Sequence, residues 1–309
     1  MSRSEHSSWL VTGAGGMLGQ DLLAVLAAVP GVQVTGATRA DLDITRPEAV
    51  AAAVGDYDIV VNAAGWTDVD GAETPEGEAA AAAVNAAGVH NLAAACAARS
   101  ALLLHVSSDY VFDGSATMPY PEHARTGPLN AYGRTKLLGE QAVTGLLPSR
   151  GYVVRTAWLY GEHGKNFPAT MLRLAAERPT IDVVQDQRGQ PTWSLQLAGK
   201  LAELGRAALR GDAPAGIYHG TASGATTWFG LARAVLGLSG LDPERIRPTT
   251  STAYVRAARR PRYSVLGHDS WARAGLAPLP DWRSGVEEAL RRPAFQALQP
   301  GRLQPAEQR

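Results

Sequence analysis

Mostly apolar runs recur along the first half of the chain, at 9–12, 32–37, 59–63, 102–107 and 152–155. Runs this short, apolar on consecutive rather than alternate positions, predict strands covered on both faces. Between them lie alanine-rich stretches at 18–28, 47–54, 76–99 and 131–146, which have the make-up of helices. Strand alternating with helix predicts an α/β fold with a parallel sheet wound on both sides. After residue 155 the rhythm loosens. The pattern there supports a strand at 183–184, a turn at 186–191, a helix at 194–209 and a short helix near 284–290. The tail from residue 241, rich in proline and arginine, reads as a smaller lobe over the C-terminal edge of the sheet, where ligands bind in such folds. No internal repeat is evident, and the last ten residues read as disordered.

Composition narrows the classes of partner. The 309 residues carry 29 basic and 29 acidic side chains, so no overall field draws the protein to nucleic acid or to anionic lipid. No apolar run is expected to approach the roughly 18 residues of a membrane span, and no signal-peptide pattern precedes the first strand. The expected address is the cytoplasm. Cys96 is the one cysteine, too few for a disulfide framework or a structural zinc site, and is expected to fill core.

The first run leads directly into Gly13-Ala14-Gly15-Gly16-Met17-Leu18-Gly19 and then a helix. Glycines at 13, 16 and 19 allow a tight turn and let backbone N–H groups approach a pyrophosphate at a helix N-terminus. Gly13, Gly16, Met17, Leu18 and Gly19 are therefore candidate dinucleotide-binding residues. About 20 positions past such a turn an acid normally holds the ribose 2′-hydroxyl, but here Arg39 stands in that region. A guanidinium suits a 2′-phosphate, which favours NADPH and leaves NADH open. Asp43 is a candidate acceptor for the adenine amino group. Ala63 and Ala64, after the third strand, are small where the backbone must pass close to the cofactor. The expected division is 1–155 with parts of 180–235 as the dinucleotide-binding domain, and 156–179 with 236–309 as a substrate-binding lobe.

Tyr132 and Lys136 are four residues apart and share one face of a helix. Ser108 ends a strand about 25 residues earlier, bringing a hydroxyl to the same sheet edge. Reduction of a ketone builds alkoxide charge, which needs a proton donor and a hydrogen-bond donor already in place. Tyr132 is the expected proton donor, with the Lys136 ammonium expected to lower its pKa from the usual value of about 10. Ser108 is expected to polarise the carbonyl.

With these motifs in this order, the sequence resembles the extended short-chain dehydrogenases/reductases. More narrowly it resembles the dTDP-4-dehydrorhamnose reductase family. The narrower likeness rests on Trp66-Thr67-Asp68-Val69-Asp70-Gly71-Ala72-Glu73, Ser107-Ser108-Asp109-Tyr110-Val111-Phe112-Asp113-Gly114 and Arg155-Thr156-Ala157-Trp158-Leu159-Tyr160-Gly161. Gly164-Lys165-Asn166-Phe167, Asp186-Gln187-Arg188-Gly189-Gln190-Pro191-Thr192 and Arg260-Pro261-Arg262-Tyr263 extend it. The resemblance implies a Rossmann-like sheet with a smaller C-terminal substrate lobe, and NADPH-dependent reduction of the C4 ketone of a dTDP-4-dehydro-6-deoxyhexose. It implies that Ser108, Asp109, Trp158, Asn166 and Arg260 contact the substrate, Arg260 through the diphosphate. The related 4,6-dehydratases follow the serine or threonine with Asp-Glu. Here Tyr110 follows Asp109, which argues against dehydration. Some members are dimers linked by a metal through acidic side chains. The matching places hold Asp21, Leu195 and Arg292, so no metal and a monomer or weak homodimer are expected.

Two other readings fit the same residues. A sister reductase of another deoxysugar, such as a dihydrostreptose type, would share every catalytic group, with substrate choice set by loops around Trp158, His163 and His219. A regulatory subunit keeping only the dinucleotide site would be expected to have lost the Tyr/Lys pair, which this chain retains.

Overall fold

The computed structural model describes residues 6–299; the last ten residues, expected to be disordered, lie outside them. Six parallel strands form the main sheet: β1 (Ser7–Thr12), β2 (Val32–Ala37), β3 (Ile59–Asn62), β4 (Leu102–Ser108), β5 (Gly151–Thr156) and β10 (Gly216–His219). Their spatial order is β10-β5-β4-β3-β1-β2. The order reverses between β1 and β3, which opens a crevice beyond the C-terminal ends of those strands. The five expected strands all form. The sixth, β10, was not foreseen, because Gly216-Ile217-Tyr218-His219 is too short and too polar to signal a strand by itself.

Alternate residues of each strand serve opposite cores. Trp9, Val11, Ile59, Val61, Leu102 and Leu104 face the layer of α1 (Met17–Ala27) and α7 (Ser194–Arg210). Leu10, Val60, Leu103 and Val153 face α2 (Pro47–Val54), α4 (Val89–Arg99) and α5 (Ala131–Leu146). Both faces are thus dry, which explains the unbroken apolar runs. Leu18, Leu22 and Leu26 recur every fourth residue and bury one stripe of α1. Truncating fully buried Leu22 to alanine would cost about 2–5 kcal/mol. Cys96 is buried in the second core, as expected.

The helix expected at 76–99 is α3 (Pro75–Ala82), a π-helical turn at Ala83–Gly88, and then α4. Among the described residues this 25-residue stretch is long and apolar enough, by length and composition, to cross a membrane, contrary to the sequence expectation. Alanine supplies that apolar character, and the helix packs against α2 and α5.

A third core belongs to the smaller lobe. It gathers α6 (Phe167–Glu177), β7 (Ile181–Val184), α8 (Trp228–Leu238), β13 (Ile246–Thr249), α10 (Trp282–Leu290) and α11 (Pro293–Gln296). Short pairs brace it: β6 (Leu159–Tyr160) with β9 (Thr192–Trp193), β8 (Arg188–Gly189) with β12 (Thr226–Thr227), and β7 with β13. The turn expected at 186–191 therefore contains a two-residue strand. The lobes interleave in sequence. Trp271, on α9 (Asp269–Arg273), and Leu279, on β14 (Leu279–Asp281), belong to the core of the main sheet, not to that of the smaller lobe. β14 pairs with β11 (Ala222–Ser223).

Candidate active site

A cleft of about 850 Å³ opens where β1, β3, β4 and β5 end. Its outer wall is the glycine-rich turn. Gly13 has φ +71°, and a Cβ there would lie 2.5 Å from the Ala64 nitrogen. Gly19 lets the first turn of α1 close onto the Gly13 carbonyl, which a Cβ would strike. Gly16 caps α1 with no side-chain hydrogen bond, and no acid sits in the first turn. The first N–H groups of α1 are therefore free for an anion, and the helix dipole favours one. Met17, Leu18, Ala63 and Ala64 line the cleft beside them. Asn62 shapes that wall: its Oδ1 accepts hydrogen bonds from Thr12 Oγ1 at 2.7 Å and from the Ala64 N–H at 3.1 Å.

Arg39 and Asp43 sit at the far end of the cleft. Arg39 is 86% exposed and lies 3.8 Å from Asp43 Oδ2, so water screens that pairing and the guanidinium is free to turn. Asp43 Oδ1 meanwhile accepts from the Thr45 N–H and hydroxyl.

Ser108, Tyr132 and Lys136 converge at the inner end. Asn130 caps α5 by accepting from the Gly133 N–H at 2.8 Å, which fixes the start of the helix that carries Tyr132. Lys136 is buried and donates to the Val106 carbonyl at 2.7 Å. Burial lowers its pKa to about 8 against the opposing charge of Glu140. Burial raises the Tyr132 phenol to about 12, with Ser108 pulling it down and Asp109 pushing it up. The expectation that Lys136 lowers this pKa is corrected: Lys136 is not among the groups acting on this phenol, and burial raises it. Asp109 is pushed up by burial to about 6, although Ser264 and Ser108 oppose the shift. Ser108 Oγ donates to Asp109 Oδ1 at 3.0 Å, while buried Asp109 Oδ2 has no hydrogen-bond partner.

Below this group Glu140 accepts from Ser107 Oγ at 2.6 Å and from Arg155 Nε at 2.9 Å, tying α5 to β4 and β5. Asn85 was not foreseen. It sits in the π-helical turn and bonds both the Trp66 N–H at 2.9 Å and Thr135 Oγ1 at 3.1 Å. A lone asparagine inside an alanine run was its one signal, and such turns recur at functional sites.

Trp158 lines the remaining wall with a left-handed backbone, φ 48°, unusual for a bulky residue. Its indole stacks on Trp228, with ring centres 3.7 Å apart and planes 10° apart. Trp228 and Lys165 also line the cleft, and sequence reasoning did not single them out. Asn166 and Arg260 are not on the cleft wall, against expectation. Asn166 caps α6 through the Ala169 N–H at 3.0 Å and donates to the Gly161 carbonyl at 2.8 Å. Arg260 is paired with Asp70. His219 is buried against Gly267 and Arg155, away from the cleft, and His163 faces Asp21 at 3.8 Å.

A glycine-lined helix N-terminus at the sheet crevice, with a serine and a Tyr/Lys pair at its inner end, is the arrangement of an extended short-chain dehydrogenase/reductase. The chain belongs to the RmlD substrate binding domain family, whose model matches residues 7–294. It is 53% identical to a dTDP-4-dehydrorhamnose reductase of Streptomyces griseus over 94% of this chain and 95% of that one. It is 50% identical to a dTDP-4-keto-6-deoxy-D-glucose reductase of Streptomyces niveus over 91% of this chain and 96% of that one. The solved dTDP-4-dehydrorhamnose reductase of Bacillus anthracis in complex with NADP superposes with a TM-score of 0.85 at 32% identity, covering 92% of this chain and 99% of that one.

Proposed function

We propose that this protein is an NADPH-dependent reductase of the C4 ketone of a dTDP-4-dehydro-6-deoxyhexose, converting dTDP-4-dehydro-L-rhamnose to dTDP-L-rhamnose. The observation that carries the reading is one continuous cleft, with an anion-binding helix end at its mouth and Ser108, Tyr132 and Lys136 at its inner end. Gly13, Gly16, Met17, Leu18, Gly19, Ala63 and Ala64 hold the dinucleotide, Asp43 faces its adenine, and Arg39 takes the 2′-phosphate. NADH fits the same cradle without that last contact. The sheet half carries the cofactor and the lobe built on α6, α8 and α10 carries the sugar, with Asp109 and Trp158 on the sugar side.

When bound, NADPH supplies a hydride for the carbonyl carbon. As the carbonyl electron pair moves to oxygen, Ser108 donates a hydrogen bond to that oxygen and Tyr132 gives it a proton. A phenol near 12 stays protonated at neutral pH and still protonates an alkoxide, which is far more basic. Lys136, one helical turn away, balances the phenolate left behind.

NADPH oxidation with dTDP-4-dehydro-L-rhamnose, made in place from dTDP-glucose by a 4,6-dehydratase and a 3,5-epimerase, tests the reading. Oxidation that needs the epimerase and yields dTDP-rhamnose supports it; none with either ketosugar overturns it. The Streptomyces niveus relative favours a second reading, reduction of dTDP-4-keto-6-deoxy-D-glucose itself. Oxidation without the epimerase selects that one.

The working form we propose is a cytoplasmic monomer or weak homodimer without nucleic-acid or membrane partners, in keeping with its balanced charge. A linking metal finds poor ground: the Arg292 guanidinium pairs with Glu162 at 2.7 Å, and Asp21 is engaged by Ser194 at 2.5 Å.

A further inference from the structure

The motif Trp66 to Glu73 contains Asp70, for which the reductase chemistry has no use. We propose that Asp70 and Arg260 form a clasp holding Tyr110 against Tyr132, so that Arg260 serves the reaction as a positioning residue and not as a ligand of the nucleotide diphosphate. The proposal rests on the reductase reading above.

Arg260 meets Asp70 with both terminal nitrogens, Nη2 lying 2.9 Å from Oδ2, across 190 residues of sequence. Its Nη1 also donates to the Ala258 carbonyl at 2.7 Å. Asp70 further accepts from the Ala258 N–H at 3.0 Å, and Arg256 stands 3.5 Å from it. Asp70 and Ala258 thus occupy the end-on fork of the guanidinium, the one a phosphate would otherwise take. The Tyr110 hydroxyl lies near the same guanidinium, whose charge favours its ionised form against burial.

Tyr110 touches both reacting groups. Its ring lies edge-to-face on Tyr132 with centres 5.8 Å apart, and its N–H donates to Ser108 Oγ at 3.2 Å. The segment bearing Arg260 is anchored twice more near the same place. Asn130, the cap of α5, donates to the Arg259 carbonyl at 2.9 Å. Pro261 packs so closely on Gly114 that a Cβ there would lie 2.6 Å from it. One strap therefore fixes the start of the helix carrying Tyr132 and the ring against which Tyr132 rests. Opening the clasp frees Tyr110 and blurs the position of the phenol, which slows proton transfer more than it weakens binding.

The test is kinetics of Asp70→Asn, Arg260→Gln, Arg260→Lys and the Asp70→Asn/Arg260→Gln double variant. Each single change is expected to lower kcat about tenfold with KM for the sugar nucleotide moving under about twofold, and the double variant to be no worse than either single. Asp70→Glu, which keeps the fork, is expected to restore most of the rate. A raised KM with kcat kept in Arg260→Gln, alongside a wild-type-like Asp70→Asn, overturns the clasp and returns Arg260 to the diphosphate. Amide hydrogen exchange over 256–262 supplies a readout free of activity. Faster exchange in Asp70→Asn than in the wild type is expected, and equal exchange overturns the proposal. A wild-type protein inert toward both ketosugars overturns the reductase reading alone, while the exchange experiment still decides the clasp.

Discussion

Glu140 and Arg155 are joined by two hydrogen bonds, Nε to Oε1 at 2.9 Å and Nη2 to Oε2 at 2.7 Å, with both side chains almost wholly buried one helical turn beyond Lys136. Water cannot replace either partner. Glu140→Gln is therefore expected to cost about 3–5 kcal/mol in denaturant unfolding, since it strands a buried cation. A loss under about 1 kcal/mol would mean that water reaches the pair.

Removing the phenol oxygen tests the chemical step. Tyr132→Phe keeps the ring on Tyr110 and is expected to lower kcat by about 10²–10⁴-fold, with NADPH affinity nearly unchanged. Retained turnover would show that the proton comes from elsewhere.

Activity is expected to fall as pH rises through about 8. Ionised Asp109 accepts the Ser108 proton, and its carboxyl, pushed up by burial to about 6, is protonated below that pH and leaves that proton for the substrate oxygen. Lys136, pushed down by burial to about 8, loses its charge above it. The phenol, near 12, stays protonated throughout. Measured kcat/KM should therefore be higher on the acid side and fall through about pH 8 as Lys136 is discharged. A flat profile would sever both groups from the reaction.

Arg39 is expected to set cofactor preference. Arg39→Ser should raise KM for NADPH about tenfold and leave KM for NADH in place, because only the 2′-phosphate loses a partner. Equal effects on both cofactors would place the guanidinium elsewhere.

Gly189 touches the sugar wall from behind. A Cβ there would sit 2.6 Å from the Trp158 ring, so Gly189→Ala is expected to displace the indole. Stability should drop by about 1–3 kcal/mol, and KM for the sugar nucleotide should rise while that for NADPH holds. Unchanged sugar-nucleotide kinetics would remove Trp158 from the pocket.

The first five strands and the helix bearing Tyr132 were legible because each is a local pattern whose burial the sequence announces. The glycine turn was legible for the same reason, since Gly13 and Gly19 answer steric demands that any such turn makes. What escaped depends on distant partners. Strand β10 exists because β5 offers it an edge, and the two-residue strands of the smaller lobe exist only as pairs. Trp228 gained its place from stacking on a residue 70 positions earlier, Trp158. The cap made by Asn166 and the ion pair made by Arg260 were not legible, because each is settled by partners the local sequence does not announce. The phenol of Tyr132 differs from the sequence expectation because the depth of burial, which sequence does not reveal, sets the direction of its shift.

Trp271 lies in one core with Trp9, although 262 residues separate them along the chain. The glycine turn, Ser108 and the Tyr/Lys pair are all synthesised long before the ring that seals the sheet beneath them. A fragment ending before residue 271 therefore lacks the ring that packs on Tyr218 in that core. The last stretch of chain to be made thus completes the core on which the site is built.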